Sequence, residues 1–167
     1  MSDFKVVNGP AGAQAISETS TTQLHPLGTI VRAVDFASTA YGEGEFVYAK
    51  GVASTAVGSV VLINEDDYST SLLAANDIGR VGVAMSENVA GGYGWYQISG
   101  KAVAKVATGF ADNANVYATA TAGTVDDAVV AGDRVKKCKG ASAIGTPSAG
   151  LAELEIDRPF MDDAVAA

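Results

Sequence analysis

The chain has 167 residues, one cysteine and a formal net charge of −8. That length suits one domain able to bury its own core, and the lone Cys138 rules out an internal disulfide. The acidic balance argues against a nucleic-acid partner, because the chain would repel phosphate backbones.

The first residues, Met1-Ser2-Asp3-Phe4-Lys5, carry neither the basic nor the apolar region of a secretion signal. Residues 4–7 read as a short strand or an anchored arm. From 8 to 23 the chain is mostly Gly, Ala, Ser and Thr, which cannot build a core alone. We read 8–23 as an extended arm or loop that a neighbour orders, with a disordered tail as the alternative, within an extended arm over 1–28. Regular alternation starts near Thr29, where Ile30, Val34 and Phe36 share a face. A turn at 42–44 leads to a strand at 45–50. A third strand, 59–64, contains the apolar run Val60-Val61-Leu62-Ile63. It is far too short to span a membrane, so no membrane partner is expected. After the turn Glu65-Asp66-Asp67, further strands are expected at 68–73, 80–85, 95–99, 101–106, 115–121, 133–139 and 151–157. Turn signals recur at the spacing of an all-β sandwich or barrel. The fold class is therefore all-β: a compact domain over 29–158, with the arm before it and a tail over 159–167.

Few residues suggest chemistry. Nucleophilic catalysis needs a base beside the nucleophile, and nothing local couples His25 to Cys138. Glu65-Asp66-Asp67, Asp126-Asp127 and Asp162-Asp163 lack the spaced ligands of a calcium loop and read as solvated turns. Gly91-Gly92-Tyr93-Gly94 runs into a strand instead of a helix N-terminus, so it is a turn and not a phosphate cradle. No enzyme, cofactor or metal site is expected.

Interface candidates stand out better. On a straight strand, Tyr96 shares a face with Ile98, Ala102, Ala104 and Val106, which is plainly the core. Trp95 then points the other way, with Gln97, Ser99, Lys101 and Lys105, toward solvent or a partner, unless a loop of its own chain covers it. Tyr93 lies beside it. The one basic run, 134–139, includes Lys136 and Lys137. It reads as a lysine-rich edge strand that blocks unwanted pairing, with an acidic partner surface as the alternative. Pro159 should end the last strand. Phe160 and Met161 would then dock on a neighbour or on their own subunit.

The succession Gly-Arg-Val-Gly-Val-Ala (79–84), Gly-Tyr-Gly-Trp-Tyr-Gln-Ile-Ser-Gly-Lys-Ala (92–102) and Ala-Asn-Val-Tyr-Ala-Thr (114–119) resembles the capsid decoration, or cement, proteins of tailed bacteriophages. The likeness covers roughly 46–135. It implies a small acidic β-protein made in the host cytoplasm. Such a protein binds the outside of the capsid, on the major capsid protein, often as a homotrimer, and stabilises the head. A carbohydrate- or receptor-binding module of a phage tail fibre or spike is the alternative reading.

Overall fold

The computed structural model describes residues 2–163. Its strands are β1 (Phe4–Asn8), β2 (Thr19–Ser20), β3 (Ile30–Asp35), β4 (Glu43–Lys50), β5 (Val60–Ile63) and β6 (Thr70–Leu72). They continue as β7 (Gly79–Ala84), β8 (Tyr93–Lys105), β9 (Asn115–Ala118), β10 (Val125–Asp126), β11 (Arg134–Gly140) and β12 (Leu151–Met161). All join one antiparallel sheet, ordered β1-β3-β4-β8-β7-β12-β11-β9-β10; β2 pairs with β8, and β5 and β6 branch from β7. The fold is all-β and compact, as the alternation implied, but the sheet is single and does not close into a barrel.

The organising strand is β8. The two expected strands 95–99 and 101–106 are one thirteen-residue strand. It bends at Gly100, whose φ is +97°, a backbone state that L side chains rarely adopt. A Cβ there would also stand 2.5 Å from the Glu43 carbonyl oxygen. One edge of β8 pairs with β4. The other edge is shared: Tyr96 and Gln97 face β7, and Ser99 to Lys105 face β12. β12 then leaves β8 and pairs with β7 through Phe160↔Arg80 and Met161↔Gly79. The sheet therefore forks where β7, β8 and β12 meet.

The fork explains Pro159, which does not end the strand as expected. Asp157 pairs with Ser99 and Phe160 with Arg80, so residues 158 and 159 fall in the gap between ladders. A residue without an N–H loses nothing there.

Three apolar clusters hold the fold. The largest gathers Val83, Ala104, Phe110, Val116, Leu154 and Met161. The second contains Phe4, Ile16, Phe46, Tyr48, Trp95 and Val103. The third contains Val47, Ala49, Val61, Ile63, Tyr96 and Ile98. The second and third lie on opposite faces of β4 and β8. Alternation places Trp95 and Tyr96 on opposite faces correctly, but both faces are covered, and each side chain is 1% exposed.

The cover over Trp95 comes from the segment read as an arm that a neighbour orders. β1 pairs with β3, and β2 adds to β8 at Gly94 and Tyr93. Between them the chain crosses the indole, burying Gln14 and Ile16, and beyond β2 it buries His25. Its polar backbone finds local partners, so small residues can pack here without a core of their own. The basic run also differs from expectation. β11 lies between β9 and β12 and is not an edge strand. Its pairing slips on both sides, with Lys137 at φ 55°.

Candidate functional site

The fork opens a groove of about 330 Å³. Val47, Ile63, Val81 and Ile98 line it, with Ile30, Tyr68, Pro159 and Phe160 at its sides and Arg80 and Arg158 beside them. Ile30 and Phe160 stay 44% and 40% exposed, so two large apolar side chains border an apolar hollow. That combination of concavity and convergent polar groups is typical of binding sites.

Local sequence fixes the Tyr68 wall, and contacts between distant elements fix the others. Tyr68 is held by a tight acidic turn. Asn64 Oδ1 accepts from Asp66 N at 2.8 Å, and Asp67 Oδ1 accepts from Ser69 N at 2.9 Å and Ser69 Oγ at 2.7 Å. The Ser69 hydroxyl and amide hold the Asp67 carboxyl below the usual range. So Asp67 spends a carboxylate oxygen on the turn itself. The Tyr68 ring lies against Gly28, where a Cβ would come within 2.4 Å of it. Arg158 donates to Glu45 at 2.8 Å, which fixes the guanidinium. Arg80 stands across the ladder from Phe160 and Ile63.

The six residues singled out from sequence are dispersed. Phe160 is in the groove. Lys136 pairs with it across the ladder and makes an ion pair with Asp162. Met161 is fully buried in the largest cluster, docked on its own chain. Trp95 is buried and so is not a free interface anchor, while half-buried Tyr93 stacks on Tyr48 beside it at 6.2 Å between ring centres. Lys137 is exposed at the β11 bulge. Ile30, Tyr68, Arg80 and Arg158 were not singled out, because four separate elements bring them together and no local motif marks them.

Two polar clusters lie elsewhere. Lys101 Nζ meets Glu153 Oε2 at 2.5 Å and sits 5.9 Å from the Tyr41 ring centre. Burial, then the Glu153 carboxylate, push the Tyr41 phenol up to about 12. Nearby on β8, Gln97 is fully buried and its Nε2 donates to the Ser99 and Lys101 carbonyls. The second cluster is the polar seam between the arm and Trp95. Burial also pushes the Cys138 thiol up to about 12. At that value a thiol is a poor nucleophile at neutral pH. Among the described residues, no group of three His, Cys, Asp or Glu side chains could hold a metal ion, and no helix is long and apolar enough to cross a membrane.

No known protein family matches the chain, and no curated protein matches it either.

Proposed function

We propose that this protein is a structural component of a tailed-phage particle, a decoration protein that binds the outer surface of the capsid and stabilises the head. The groove carries the reading. The sheet presents an apolar hollow between exposed Ile30 and Phe160, which suits an anchor side chain from the major capsid protein. The acidic net charge and the resemblance over 46–135 support the same reading. Stabilisation would follow from mass action: a protein that binds only the assembled shell lowers its free energy, once per copy. Assembly as a homotrimer would add avidity across several capsid subunits.

The test is co-sedimentation with undecorated particles. Wild-type protein should bind, and Phe160→Lys and Ile30→Lys should bind about 30-fold more weakly, the effect of losing a ~2 kcal/mol anchor. Both positions are substantially exposed, so thermal stability should move little. Unchanged binding by both variants would overturn the groove. Failure of wild type to bind any shell, with binding to surface glycans instead, would move the protein to a tail fibre or spike.

A further inference from the structure

The chain has one histidine, and the arm closes on it. Gln14 is the hub of that seam. Its carbonyl accepts the Trp95 indole N–H at 3.0 Å, and its side chain donates to the Glu18 carbonyl at 2.6 Å. Its own backbone N–H donates to His25 Nε2 at 3.1 Å. The imidazole is 8% exposed, lying edge-on to Tyr48 at 5.1 Å and tilted over Trp95 at 5.6 Å.

We infer that His25 is a proton-operated latch that holds the arm, residues 9–28, over the aromatic cluster at neutral pH and releases it on mild acidification. Only a neutral ring can accept at Nε2. Once protonated, both ring nitrogens are donors, so Nε2–H would point at the Gln14 N–H and a hydrogen bond would become a repulsion. The surroundings offer little relief. The titratable groups on the elements packed there are the phenols of Tyr48 on β4 and, stacked behind it, Tyr93 on β8. From the arm, exposed Glu18 reaches the seam through its backbone carbonyl, and Gln23 donates to the His25 carbonyl at 2.9 Å. The Trp95 and Tyr48 rings attract a cation, but weakly beside the loss of a buried hydrogen bond and of charge solvation. Opening would loosen Gln14 and bare Trp95. The inference is independent of what the groove binds.

The free protein tests this directly, because the sole histidine lies beside the sole tryptophan. Intrinsic emission and peptide-resolved hydrogen exchange would be followed from about pH 7.5 to about pH 5, where unperturbed carboxylates stay ionised and imidazoles titrate. After correction for intrinsic rates, exchange over 9–28 should rise about tenfold or more, the equivalent of one lost hydrogen bond. Emission should shift red, and β12 should stay protected. His25→Gln, whose amide can accept without titrating, should hold the arm closed at both ends of the range. Equal protection of the wild-type arm at both pH values would overturn the latch, as would parallel opening of His25→Gln. Should that variant not fold, the wild-type exchange map still decides: a rise spread evenly over arm and β12 would also refute it.

Discussion

Trp95 and Tyr96 are neighbours in sequence, yet they belong to different clusters on opposite faces of β8. Tyr96 contacts Asn88 Nδ2 through its hydroxyl at 3.1 Å, and Trp95 donates to Gln14 O at 3.0 Å. Each ring is therefore buried and polar-satisfied. Either one truncated to alanine should cost about 3–5 kcal/mol of stability, measured by denaturant unfolding. An unchanged Trp95→Ala midpoint would mean that the arm does not cover the indole in solution. The raised groups make a second expectation at this scale. The folded Cys138 thiol titrates near 12 against an ordinary value of 9.0, and the Tyr41 phenol near 12 against 10.0. The folded protein thus holds these protons longer than the unfolded chain. Their contribution is complete below about pH 9 and is lost as pH rises toward 12. Cys138→Ala should flatten the start of that decline, and Tyr41→Phe the later part, in unfolding followed across alkaline pH. Cys138 should react slowly with a thiol reagent at neutral pH and fast once the chain unfolds.

Most strands were legible, because β-formers alternate between turn residues along much of the chain. The element scale also shows what alternation cannot reach. Period two separates the faces of β8 without telling which is covered, and here both are, by elements far away in sequence. The arm illustrates the same limit. Its composition of small residues reads as unstructured, yet Ile16, Gln14 and His25 supply enough buried contacts to fix it on β8. Gly100 carried a sharper signal, a break between two alternating runs; the structure makes it a bend within one strand. Gly100→Ala meets both a left-handed φ and the Glu43 carbonyl oxygen at 2.5 Å, whereas Gly42→Ala at φ +61° meets open space. The first should cost well over the ~1–3 kcal/mol of backbone strain alone, the second about 1 kcal/mol. Equal losses in chemical denaturation would show that β8 relaxes at the bend. The groove was the least legible feature. In sequence Ile30 only shares a strand face with Val34 and Phe36, Arg80 only begins a strand, and it is the fork that places both beside Phe160.

At the scale of the molecule, the fork also orders events in time. β12 is the latest described strand in the chain, but it lies inside the sheet, between β7 and β11 and alongside β8. Until residue 161 has been made, the half of β8 from Ser99 to Lys105 lacks the strand it pairs with, and the largest cluster lacks Leu154, Ile156 and Met161. Such long-range pairing makes folding slow and leaves an open apolar edge during synthesis. A chain stopped before Leu151 should therefore aggregate instead of forming a smaller stable domain, which fractionation of the truncated product would show. A copy that stays soluble is thus one in which β12 has already taken its place between β7 and β11.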